Sequence, residues 1–133
     1  VTVRRIGVAI FAAAAAGALG PVRAESADEA PVWAYLAECS AVFAAVAETD
    51  SYAGADPAMV DMAAGASERF LARAVTVAGE MGQAAPQADV ASIMDYLTPR
   101  WRNRIDKLFS VRSNLDWIDY CGRLGREHGV IVP

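Results

Sequence analysis

Cys39 and Cys121 are the only two thiols in the chain. An even count suits a disulfide in a protein that leaves the reducing cytoplasm. Redox catalysis would want a local Cys-x-x-Cys or a thiol activated by nearby cations. Covalent haem would want Cys-x-x-Cys-His. Neither motif occurs. Each cysteine instead falls on an apolar stripe near the middle of an expected helix, so the expectation is a structural disulfide, Cys39–Cys121.

His128 is the single histidine. Zinc sites draw on several His or Cys ligands. A lone histidine near a helix end is expected to act as a cation against the last carbonyls. Met59, Met62, Met81 and Met94 carry thioethers, which suit cuprous ion. A soft-metal carrier is therefore one reading, and filling of irregular core space the plainer one. Asp116 and Asp119 stand three apart, but glycoside chemistry needs two carboxyls at a set distance in space. No P-loop and no His-Glu-x-x-His or Glu-x-x-His motif occurs. Accordingly, no catalytic residue, metal ligand or cofactor is assigned.

The densest charge is the run Arg100, Arg102, Arg104, Lys107 and Arg112. Residues 25–96 hold 12 acidic and 2 basic residues, whereas residues 97–133 hold 4 acidic and 7 basic. Arg100, Arg104 and Lys107 recur at helical spacing. One expectation is internal pairing with the acid-rich first portion. The other is an anionic partner, such as an acidic protein or an anionic envelope component. A formal charge of -4 and a pI near 4.9 argue against a general nucleic-acid binder.

These residues need elements to hold them, and the first step is to set the leader aside. Residues 1–24 read as a signal peptide: Arg4 and Arg5 precede an uncharged run, Ile6 to Gly20, and Val22-Arg23-Ala24 supplies a cleavage site. The run is 15 residues, against the roughly 20 a membrane span needs. No transmembrane anchor is expected after cleavage. Twin-arginine export lacks its usual continuation after Arg5, and the lipoprotein-like Leu36-Ala37-Glu38-Cys39 has Glu38 where a small residue is wanted. Eleven Arg against one Lys, with abundant Ala, points to a GC-rich bacterial genome. The expected address is the periplasm or the exterior of a Gram-negative cell.

Residues 25–133 then form a single helical domain. A first helix starts near Pro31, a residue favoured at helix starts, with Val32, Leu36, Cys39, Phe43 and Val46 on one face. Thr49 to Gly54 should end it. Asp56 and Pro57 open a second helix, with Met59, Ala63, Ala66, Phe70, Ala74, Val77 and Met81 inward and Gly82 as its stop. A third runs from about Ala88 with Val90, Ile93, Leu97, Trp101, Ile105 and Leu108 inward. Pro99 either kinks or breaks it. Ser113 and Asp116 resemble a capping arrangement for a fourth. Its stripe is Ile118, Cys121, Leu124 and His128, with Leu115 near the start and Gly129 at the end. No stretch alternates with period two.

The expectation is an all-α, up-down four-helix bundle, or five helices if Pro99 breaks the third. The tail Val130–Pro133 should fold back over one end. The leading functional expectation is an exported, non-enzymatic binding protein with an arginine-rich contact face. A small-ligand carrier or enzyme with an inter-helix pocket is the alternative, and copper binding a further one.

Overall fold

The computed structural model describes residues 29–104 and 112–132, apart from the side chains of Arg112 and Ser113. The leader and Ile105, Lys107 and Leu108 lie outside that description. From Pro31 onward the chain is one compact unit. Its described residues form four helices: α1 Val32–Tyr52, α2 Pro57–Glu80, α3 Pro86–Arg104 and α4 Arg112–Glu127. No strand occurs among the described residues.

Local chemistry sets the boundaries. Pro31 precedes α1 in an extended conformation. The Asp56 carboxylate accepts the Ala58 N–H at 2.9 Å, and Pro57 follows where no N–H is needed. Three helices end by one device. Gly54, Gly82 and Gly129 adopt positive φ, and the next residue's N–H reaches back to the carbonyls of Asp50, Ala78 and Gly125. This is the Schellman closure, and glycine enters that conformation without a Cβ penalty.

Some boundaries differ from expectation. α1 runs on to Tyr52, since polar residues in a last turn are solvated without cost. α3 starts at Pro86, two residues early, and continues unbroken through Pro99. α4 starts at Arg112, so Ser113 stands within its first turn and is not its cap.

α1 packs most extensively on α2, then on α3 and α4. No residue between Trp33 and Ala47 is exposed, and 11 are buried, seven of them Ala, Ser or Cys. Small residues let backbones approach. At the α1–α2 contact, Ser40 Oγ donates to the Ser67 carbonyl and Ser67 Oγ to the Ser40 carbonyl, each at 2.8 Å. Beside this pair Phe43 stacks on Phe70, with centroids 5.8 Å apart. α1 is also the one described helix long and apolar enough to cross a membrane, yet 61% of that apolar window is buried within the protein.

α4 touches all three others in turn. Its start meets α3 through Asn114 and Trp117. Its middle is bonded to α1 by the Cys39–Cys121 disulfide, with Cα atoms 5.5 Å apart. Its end lies over α2, where a Cβ on Gly125 would stand 3.2 Å from the Phe70 ring and 2.8 Å from the Val130 carbonyl. The described tail residues fold back, but onto the middle of α2 and not over an end of the bundle: Val130 is buried, Ile131 is exposed, and Arg69 of α2 donates from Nε and Nη2 to the Ile131 carbonyl at 3.2 and 2.8 Å.

Two parts of the expected core are outside it. Met59 and Met81, placed on the inward row of α2, are exposed, as is Met62. They sit at the two ends of the helix, beyond the elements that cover its middle. Leu115 is also partly at the surface, 38% exposed, and Asn114 takes the buried place beside it.

Both sulfur-bearing residues of the disulfide are fully buried, and the bond closes 82 residues. The native protein should therefore resist thiol alkylation until it is reduced under denaturing conditions. Replacing both cysteines by Ala should lower unfolding free energy by about 4 kcal/mol in the chain-entropy model. Intact mass after alkylation, with and without reduction, checks the first point, and urea unfolding checks the second. Two alkylated thiols in the native protein would refute the staple.

Candidate functional site

The basic end of α3 is built over an aromatic junction. α1 supplies Tyr35 and Glu38, α3 supplies Trp101, and α4 supplies Trp117 and Tyr120. Trp117 is the centre: its ring lies 5.7 Å from Trp101 and 5.5 Å from Tyr120, both edge-to-face, and 6.5 Å from Tyr35. Tyr35 and Tyr120 meet edge-to-face at 5.9 Å. Perpendicular ring pairs place positive edges on negative faces, each contributing ~0.5–1.5 kcal/mol beyond area burial. The rings fill each other's space, so this junction is a packed support. Trp101, fully buried, donates its indole N–H to Glu38 Oε1 at 3.0 Å. The two cysteines stand next to Glu38 and Tyr120 in the chain, so the disulfide fixes the same place.

The arginines above it have different partners. Arg104 lies over the Trp101 ring, 4.2 Å from its centroid. Its guanidinium donates to Asn114 Oδ1, and the Asn114 amide returns a bond to the Arg104 carbonyl at 3.4 Å. Arg104 thereby satisfies a buried amide at the start of α4. Arg102 pairs with Glu48 of α1 at 3.1 Å, the side chains being 56% and 37% exposed. Such an open pair contributes ~0–1 kcal/mol. Arg100 is exposed; it donates to the Tyr96 phenol and lies 4.9 Å from that ring's centroid. Among the described residues only Arg102 is in an ion pair.

The expected single arginine face is therefore divided. Arg104 is turned to the interior, and Arg100 and Arg102 stay at the surface. Lys107 lies outside the described residues, as does the Arg112 side chain. Among the described residues, internal pairing with the acidic portion is realised once, at Glu48. The Asn114–Arg104 link was not foreseen from the sequence. Its only signal was an asparagine beside an apolar stripe.

Other candidates separate in space. Met59 and Met81 are 22 residues apart on α2, about 33 Å along its axis, and Met94 packs against the core on α3. The four thioethers do not converge. His128 closes α4 with its backbone N–H, which reaches Leu124 and Gly125. Asp116 and Asp119 are exposed along α4. A shallow crevice between α1 and α3 is lined by Ala41, Ala44, Ala45, Glu48, Thr98 and Arg102.

The Tyr120 side chain is pushed above its ordinary protonation range. Its phenol is raised, first by burial, then by Tyr35, Glu127 and Glu38, with Arg123 opposing.

No protein-family model matches the chain, and no curated protein or solved structure is detectably similar to it.

Two outcomes follow from this geometry. Arg104→Ser strands the buried Asn114 amide and should cost about 1–3 kcal/mol in unfolding free energy, whereas Arg100→Ser should cost little. Chemical denaturation of the two variants makes the comparison. For Tyr120, ionisation is disfavoured in the folded state. The associated stability is present below the ordinary phenol pKa of 10.0 and is lost as pH rises through the higher folded value. Phenolate absorbance should show one late-titrating component, absent in Tyr120→Phe.

Proposed function

We propose that the chain is an exported helical binding protein that engages an anionic partner with the basic end of α3, Arg100 at its centre and Arg102 beside it. The observation that carries this reading is the state of Arg100. Its guanidinium is exposed and lies against the Tyr96 phenol and ring, with no carboxylate paired to it among the described residues, so its charge stays available. Arg102 adds a second surface cation whose pair with Glu48 is open to solvent. The charge skew of the sequence, with 7 basic and 4 acidic residues in residues 97–133, favours the same partner sign.

Export rests on the leader pattern of residues 1–24 and agrees with the buried disulfide, since disulfides persist in oxidising compartments. The partner is either an acidic protein or an anionic envelope component. Both present carboxylates or phosphates to guanidinium groups.

The test replaces Arg100 and Arg102 by Ser and leaves Arg104, which supports the fold, in place. Retention on anionic phospholipid vesicles and on immobilised polyglutamate should fall about tenfold or more, at ~1 kcal/mol per cation near an anionic surface. Wild-type retention should weaken with salt. Loss on vesicles alone identifies an envelope surface, and loss on polyglutamate alone an acidic protein. Equal capture of wild type and double variant on both matrices would sink the proposal.

A further inference from the structure

A second surface lies at the turn between α1 and α2. Tyr52 closes α1 and is 84% exposed, while Met59 and Met62 in the first turns of α2 are 57% and 50% exposed. The inward row of α2 explains the exposure of Met59. Its middle is covered, with Phe70 stacked on Phe43 and facing Gly125 of α4. Met59 continues that row 11 residues earlier, about 16 Å along the axis. The nearest anchor of the covering tail is at Arg69, so the row runs out from under its cover. Large apolar side chains are thus offered to solvent by a helix that is packed elsewhere.

The charged residues nearest to them along the chain have one sign. Between Arg23 and Arg69 the chain has no Lys or Arg. Asp50, Asp56 and Asp61 flank the three side chains in sequence, and Glu48 is the carboxylate already met by a cation, Arg102. The rigid turn holds this arrangement: Ala53, Gly54 and Ala55 all bond back to the last turn of α1, and the Asp56 cap fixes the start of α2.

We propose that this surface docks a basic amphipathic helix of a partner protein. Unbranched methionines adapt to the ridge of an incoming helix, which is their use at binding surfaces that accept varied apolar sequences. An amphipathic helix lays apolar side chains at i, i+3 and i+4 on such a surface. The carboxylates select Lys or Arg on its flanks and repel an anionic membrane or an acidic peptide. Tyr52, Met59 and Met62 are not part of the basic end of α3, and their role does not rest on the reading of that end.

The experiment uses the folded protein with methyl-labelled methionine and two synthetic helical peptides. Both carry leucines at i, i+3, i+4 and i+7, one with lysine flanks and one with glutamate flanks. The lysine peptide should shift the Met59 and Met62 methyl signals and leave Met81 and Met94 unmoved. Met59→Ser/Met62→Ser should weaken its binding about tenfold or more, since burying one Met side chain contributes more than the ~1.4 kcal/mol that equals tenfold. Asp61→Asn should weaken it less and flatten its salt dependence. These side chains are exposed, so thermal unfolding by circular dichroism should be unchanged in the variants. Equal binding of the glutamate peptide overturns the proposal, as does absence of shifts at Met59 and Met62. So do shifts that grow with protein concentration and no peptide, which would assign the surface to a second copy of the chain.

Discussion

α1 has no side that water would accept along most of its length. From Trp33 to Ala47 its one ionisable carboxylate is Glu38, and even that group is engaged by the Trp101 indole. A helix of this kind has to be surrounded. α2 takes one side through the Ser40–Ser67 exchange and the Phe43–Phe70 stack. α3 takes another with Leu97 and Trp101, and α4 a third through Cys121. Most of the fold can be understood as the cover this one helix requires, built from elements whose own apolar stripes are narrow.

α4 is the most polar of these covers, and it is held at separate points. Asn114 and Trp117 tie it to α3, the disulfide ties it to α1, and Gly125 and the tail tie it to α2. The aromatic junction sits between the first two ties. There the charged groups serve as structure: Glu38 receives an indole N–H, and Arg104 shields one face of Trp101 while satisfying Asn114. Arginine fills this role because its planar cation stacks on a ring and forks to an acceptor at once. Arg100 and Arg102 are left at the surface.

Much of the secondary structure was readable from residue chemistry. Asp56 and Pro57 mark a start, and Gly82 and Gly129 mark stops, because caps are local and each depends on one or two side chains. The two cysteines on two stripes indicated their own pairing. The exposure of Met59 and Met81 was not readable. Periodicity places them on the inward row, but it does not say how far a neighbour extends along that row. Leu115 and Asn114 exchange places for a similar reason: the crossing of α4 over its neighbours decides which side of its first turn faces in.

The sequence by itself determined an all-helical chain, most of its helix boundaries, a disulfide joining its first and last helices, and an acidic portion followed by a basic one. Each follows from local spacing, capping or counting. Only the tertiary structure decided that Tyr35, Trp101, Trp117 and Tyr120 form one cluster, that Arg104 belongs to the interior while Arg100 does not, and that methionines end the α2 row in solvent. Those outcomes depend on residues brought together across as many as 85 positions of chain, and spacing along a helix carries no information about which neighbour arrives, or where it stops.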